Sequence, residues 1–473
     1  MRRRLFAAIL VLLILLPTWG IFTIVGKPEV RSFRPQDGAG RVPAASQLRL
    51  TFTRTMQPES VLERFSIEPE QSGSFSWEGK TLVFTPDHPW PSAETIRVHL
   101  APGARTTGVI SFALDQDHSW SFTVTQPRLL YLYPANAAPN LYLFDPLSGQ
   151  GSRLTNVPGG ILEYSLTPDG TAIYYSANNR QGGNDIYRID LLPLLMEEQS
   201  TPTKEALDYE LILSCATAYC RAPSISPDGA FLAYERTAFS GQGEPAYPQV
   251  WLLPFDKADA QPQLAGDPSH QTLMPSWSSQ GVLAFYDTNK AAYIFFDPRS
   301  GERKSFSNQS GQPGAWDPSG KYFLAPEVDL MADTDIPASG TQVVSHSRLV
   351  RFSLLTGATE DLTSGENIDD SSPAYSPDGA YIAYSRRYLN LDSWTPGRQV
   401  WLMQSDSSQA EQKSQSPVYN HYDFAWSPTN RQIAFVRFDM TDQSRQPEVW
   451  LLDSQSGATT RLISGGFAPQ WIP

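Results

Sequence analysis

At 473 residues the chain exceeds one ordinary domain and calls for two or three. Aromatic residues make up 12% and charged ones 18%, with 39 prolines and 32 glycines; such a share of ring side chains and turn formers indicates an all-β protein and excludes disorder. A net charge of −13 excludes nucleic acid as a partner, whose binding relies on clustered Lys and Arg, and two cysteines are too few for a disulfide framework or a zinc cluster.

The chain opens with Arg2, Arg3 and Arg4 and then an uncharged run over residues 5–26. As a helix those 22 residues would span about 33 Å, the thickness of a bilayer's hydrocarbon core. This predicts a transmembrane signal anchor over 1–27, with the arginines inside. Everything after Lys27 is then expected on the extracytoplasmic side, in the cell envelope. A cleaved signal peptide is the alternative, although no small-x-small cleavage site follows the run.

Residues 28–126 carry short alternating stretches, among them Leu48-Arg49-Leu50-Thr51-Phe52, Phe75-Ser76-Trp77, Ile96-Arg97-Val98-His99-Leu100 and Trp120-Ser121-Phe122-Thr123-Val124. Period-two patterning with a turn every ten residues or so predicts a β-sandwich. The stretches 33–61, 84–100 and 119–124 resemble the bacterial Ig-like domain of S-layer and other envelope proteins, a resemblance that implies a strand and a short turn around Phe52, Met56 and Pro58, and a spacer or surface module. His88, His99 and His118 lie here with Asp87, Asp115 and Asp117, but their spacing fits no ligand pattern, and they read as polar residues facing water.

From residue 128 one phrase recurs: Ser-Pro-Asp-Gly or a degraded copy, then an apolar strand, at 164–177, 223–236, 275–287, 314–326, 373–386 and 424–437. Pro fixes φ, Asp bonds the following backbone and Gly accepts positive φ, so each copy is a tight reversal between strands. A second strand phrase follows, as in 249–256 and 399–406, and then a short last strand. Four-strand units of about 49 residues predict blades of a β-propeller over 128–473. Seven blades are expected, with six or eight as alternatives, and the C-terminal strand around Trp471 completes the first. The phrase resembles the TolB-type propeller repeat, with its fullest copies at Pro227-Asp228-Gly229 and Pro377-Asp378-Gly379. That family usually has six blades, so a count of seven departs from it.

No Gly-x-Ser-x-Gly nucleophile turn is present. The chain is expected to end at the closing strand, without the peptidase domain that some such propellers precede. Cys215 and Cys220 are too far apart for a redox Cys-x-x-Cys pair and are expected to form a structural disulfide. His270, His346 and His421 fall in different units, and Glu366, Asp369 and Asp370 read as a solvated loop; no metal or cofactor is expected. Trp251, Trp401 and Trp450 are expected in the core between blades. The insertions 191–210, 237–248, 327–347 and 387–398 are the better binding candidates, the last offering Tyr388, Trp394 and Arg398 as a partner surface. The function expected is a non-enzymatic, membrane-anchored binding or scaffold protein whose propeller face recognises an envelope protein, a peptide or a glycan. The rival expectation is a hydrolase or lyase with a carboxylate or metal site in the propeller channel.

Overall fold

The computed structural model describes residues 27–472 except 43–45, 88–89, 92–93, 109, 147–148, 192–206, 240–245, 256–259, 333–342, 366 and 391. It is all-β apart from one five-residue helix, α1, Pro58–Leu62. The chain divides into two compact units between Gln126 and Pro127.

The membrane anchor expected over 1–27, and with it the extracytoplasmic placement of everything after Lys27, must be corrected. No helix among the described residues is long and apolar enough to cross a membrane. At 1.5 Å per residue α1 spans about 8 Å, against a hydrocarbon core of about 30 Å. Residues 1–26 themselves lie outside the described residues.

The first unit is a sandwich of two four-stranded sheets. One orders Val30–Arg34, Leu48–Phe52, Thr81–Pro86 and Gly73–Glu78; the other orders Ala39–Val42, His118–Val124, Thr95–Leu100 and Phe65–Glu68. The alternation decides the inner faces: Leu48, Leu50 and Phe52 meet Ile96, Val98, Leu100 and Phe122 in one buried core. Trp90 closes it, donating its indole N–H to the Ser46 carbonyl at 2.7 Å. The turn expected after Phe52 is α1, with Pro58 at its start, where a missing N–H costs nothing.

The second unit repeats one antiparallel meander. Its innermost strands are Ile161–Leu166, Tyr219–Ile225, Thr272–Trp277, Ala315–Trp316, Ile368–Tyr375, Tyr419–Trp426 and the C-terminal Phe467–Ile472. The last of these pairs antiparallel with Arg128–Tyr133, setting Trp471 opposite Leu129, so the chain's end completes the sheet of 128–153. Two sheets are eight-stranded because neighbouring units touch through single parallel pairs, Asn184 with Tyr219 and Ser347 with Asp369.

Each recurring reversal is held by its own side chains. In one copy the Ser226 hydroxyl donates to Asp228 at 2.7 Å and accepts the Phe231 N–H at 2.9 Å, with Gly229 at φ 70°. Ser376, Asp378 and Gly379 repeat that geometry. The degraded copies preserve the first residue's bond, with Ser278 accepting the Val282 N–H, Asp317 the Tyr322 N–H and Ser427 the Gln432 N–H. Asn430 replaces glycine at φ 58°, a conformation asparagine tolerates. The strand after each reversal buries an alanine, Ala233, Ala284, Ala325, Ala383 or Ala434, letting units approach closely.

Successive inner strands are bonded to one another. Indole N–H groups bridge to the preceding unit from Trp277 to the Ser224 carbonyl (3.0 Å), Trp316 to Ser276 (3.3 Å), Trp426 to Ala374 (3.1 Å) and Trp471 to Ala425 (3.0 Å). The Tyr164 hydroxyl donates to the Ala468 carbonyl at 2.6 Å, the Ala222 N–H to Glu163 and the Ser371 hydroxyl to Gln312. These contacts run from strand to strand until they return to their start. A ring of sheets closed by its last strand is a β-propeller.

The insertion expected over 327–347 is in large part strand. Tyr322–Ala332 and Val343–Ser353 pair along their whole length, because alternating residues beyond the reversal continue the ladder and satisfy the backbone.

Trp471 is 6% exposed and ties the closing strand to the previous unit. Trp471→Ala should therefore lower stability by about 3–5 kcal/mol, read from denaturant unfolding. Leu355→Ala, at an 82% exposed side chain, should change it by less than about 0.5 kcal/mol. Equal small changes in both would contradict the closure.

Candidate binding site

The ring encloses a channel lined by the inner strands. In five of those strands, among the described residues, the ladder skips at the same place and a non-glycine residue sits at positive φ: Ala222, Met274, Ser372, Asp423 and Ala468. These are β-bulges, which re-aim the backbone toward the axis. Two carboxylates are spent on bulge amides, Glu163 accepting from Ala222 at 2.6 Å and Glu235 from Met274 at 2.7 Å. Burial, with Glu163 nearby, raises the Glu235 carboxyl. Asp423 is different: it reaches solvent but is ringed by protein, has no side-chain hydrogen bond among the described residues, and desolvation pushes its carboxyl up to about 6. Burial, with the Asp423 charge beside it, pushes the Tyr164 hydroxyl well up, so it stays protonated and keeps donating to Ala468.

Of the expected partner surface, Tyr388, Trp394 and Arg398, only Trp394 presents itself, at 53% exposure. Tyr388 lies edge-on to Trp401, ring centres 6.3 Å apart, and forms a backbone bridge with Trp394. Arg398 is half-buried and spends its guanidinium on Asp369, with contacts of 2.8 and 3.0 Å. The foot of this loop is clamped to the strand Tyr419–Trp426. Asn420 accepts the Arg398 N–H, the His421 N–H donates to the Arg398 carbonyl, and Gly397 packs so closely on the Tyr419 backbone that no Cβ fits.

The acidic cluster is not a solvated loop. Asp369 and Asp370 lie buried on the strand Ile368–Tyr375, where they need partners. Arg386 forks onto Asp370 at 2.6 and 2.8 Å, and Asp369 takes Arg387 and Arg398. Three guanidinium groups leave the two carboxylates no charge to offer a cation. Glu366 lies outside the described residues.

The missed residues are arginines. Arg236, Arg386 and Arg437 sit two places after the aromatic of each strand phrase and stack over Trp251, Trp401 and Trp450, at 5.6, 5.1 and 3.7 Å from the ring centres. These tryptophans are half-buried rather than sealed, which leaves a ring face for the cation. The repeated spacing, Ala-Tyr-x-Arg or Ala-Phe-x-Arg before Val-Trp-Leu, was the available signal.

The histidines do not converge. His270 pairs with Asp287 at 2.8 Å and His346 accepts the Asn367 N–H. His421 is buried, its Nδ1–H donating to the Arg398 carbonyl at 2.7 Å. In the sandwich His99 pairs with Asp117, His118 stacks on Trp120, and Asp115 pairs with Lys27; His88 lies outside the described residues. No group of His, Cys, Asp and Glu among the described residues could hold a metal. Cys215 and Cys220 are joined as a disulfide with Cα atoms 6.3 Å apart.

Residues 25–124 match the family model described as the bacterial Ig-like domain. The chain is 22% identical over 209 residues to the uncharacterized peptidase YuxL of Bacillus subtilis, covering 38% of this chain and 31% of that one. It thus spans about a third of that curated relative's length. Its fold is similar to TolB of Acinetobacter baumannii, with 13% identity, a TM-score of 0.42, and 94% and 99% of the two chains covered. An oligogalacturonate lyase of Vibrio parahaemolyticus follows, with 12% identity, a TM-score of 0.39, and 64% and 74% covered. At such TM-scores these likenesses add nothing to the strand pairing itself.

Burial, with the charge of Arg437, lowers the His421 imidazole from 6.5 to about 4. The folded state therefore favours neutral His421. That stability is complete above pH 6.5, is lost as pH falls toward 4, and is level below. Thermal midpoints measured between these values should fall more steeply for the natural chain than for His421→Asn; parallel profiles would contradict the assignment.

Proposed function

We propose that the chain is a non-enzymatic binding or scaffold protein whose seven-bladed propeller recognises a protein, peptide or glycan through the face that carries Trp394. The count of seven is supported by the inner strands bonded in succession around the ring and by the last strand completing the first sheet. Trp394 carries the reading: it is a large exposed aromatic on a loop whose foot is held by Asp369 and the Tyr419 backbone. Rigid aromatic anchors contribute most of the energy at recognition surfaces, because little entropy is lost when they dock. The Cys215–Cys220 bridge belongs to the same reading, as a local clamp beside Asp185, which accepts the Cys215 N–H at 2.8 Å.

A second reading keeps a hydrolase or lyase in the channel. Asp423 favours it, as an unpaired carboxylate with a raised pKa. Against it, acid–base chemistry of this kind uses two groups in contrasting environments, and the other carboxylates by the bulges, Glu163 and Glu235, are held on backbone amides.

The full chain used as bait, with and without chelator, separates the two. The binding reading expects a protein, peptide or glycan to be retained, its capture reduced at least tenfold by Trp394→Ala and untouched by chelator or by Asp423→Asn. Turnover of an ester or sugar substrate, abolished by Asp423→Asn while nothing is retained, would overturn it.

A further inference from the structure

The sandwich carries a feature that the propeller reading does not use. The solvent side of its second sheet forms an open cavity of about 510 Å³, inside the size range of small-ligand sites. Its floor follows from the register of three strands. Ser66, His99 and Ser119 form one row across the sheet; Glu68, Arg97 and Ser121 form the next. Side chains two apart along a strand share a face, so these rows present their polar groups together, while Val98 and Phe122 between them fill the core.

The pairing on this face is unusual in what is left over. Glu68 and Arg97 are directly opposite in register, and an opposite-charge pair there would ordinarily close. Neither side chain makes a hydrogen bond or ion pair among the described residues, although the two backbones are paired in the ladder. Asp37 at the rim gives one carboxylate oxygen to the Ser121 N–H at 2.8 Å and keeps the other free. His99 is turned aside by Asp117, its Nε2 lying 2.7 Å from that carboxylate. Trp120, between Ser119 and Ser121, turns the other way with Val98 and Phe122, its indole stacked on the buried Phe33, ring centres 4.6 Å apart, so the ring packs on the core side of the sheet. The cavity thus joins a donor-only fork, acceptor-only carboxylates and small hydroxyls.

We propose that this face of the sandwich is a saccharide subsite that takes an uncharged oligosaccharide. A sugar hydroxyl both donates and accepts, so adjacent hydroxyls satisfy Arg97 and Glu68 or Asp37 together. A simple anion would meet the two carboxylates, and a simple cation would meet the guanidinium. The small serines leave room for sugar rings to lie on the sheet. The site is independent of Trp394 and of the channel.

Isothermal titration of the full chain tests it, with cellotetraose, maltotetraose and tetra-N-acetylchitotetraose as neutral probes and tetragalacturonate as the acidic control. At least one neutral probe should bind and the acidic one should not. Arg97→Ala and Glu68→Gln should each weaken that binding about tenfold, equivalent to about 1.4 kcal/mol, while Leu355→Ala, at an exposed side chain outside both proposed sites, leaves it unchanged. Both substitutions fall on the solvent side of the sheet, so their thermal midpoints should match that of the natural chain. Three results would overturn the proposal: no heat with any neutral probe at millimolar concentration, equal binding of tetragalacturonate, or binding lost in Trp394→Ala but kept in the two sandwich variants. The last would assign the sugar to the propeller and leave the function proposed above intact.

Discussion

Everything in the second unit depends on one kind of contact: an inner strand hydrogen-bonded to the unit before it, most often by an indole N–H to a carbonyl of the preceding inner strand. A four-stranded meander cannot bury both its faces alone, and stacking units around an axis is what covers them. The indole bonds at Trp277, Trp316, Trp426 and Trp471 fix the spacing at which this happens. The buried alanines on the next strand allow the approach, and the larger side chains fill the space outside them, as Ala383 does with Val400, Leu402, Ile433 and Phe435. Closure then requires that the last strand come from the far end of the chain, and Phe467–Ile472 supplies it.

A ring built this way has consequences for charge. The bulges that line the channel leave backbone amides facing inward, and Glu163 and Glu235 satisfy two of them. Farther out, arginines occupy the faces of half-buried tryptophans, and where acids are buried beside them, as at Asp369 and Asp370, the charges cancel. The site candidates that survive are those the scaffold leaves unpaired: Asp423 in the channel, Trp394 on its clamped loop, and Glu68 with Arg97 on the sandwich.

Much of the fold was legible because it repeats. Pro-Asp-Gly with a preceding Ser or Thr makes a reversal by local hydrogen bonding alone, and alternating strands between reversals have few ways to pack. The sandwich was legible for the same reason at Leu48, Leu50 and Phe52. The site was much less so. Exposure of Trp394 agrees with its place in an insertion, but Arg398 in the same insertion turns inward to Asp369, a residue 29 positions away that only the register of strands brings near. Glu366, Asp369 and Asp370 read as a solvated loop because the strand phrase of this unit starts at residue 373, whereas the strand itself begins at Ile368. The bulge at Asp423 leaves no mark in composition. At the N-terminus the uncharged run raised an expectation of a spanning helix that the described residues do not support.

Closure is the claim to test most directly, and disulfide trapping across the seam does it. Arg128 and Ile472 are opposite one another in the ladder between the first and last strands. In a chain carrying Arg128→Cys and Ile472→Cys, mild oxidation should give an intramolecular cross-link, recovered as one peptide joining the residues around 128 to the C-terminus. Its absence, with cross-links forming only between chains, would mean that the sheets run as an open array and that the ring is wrong.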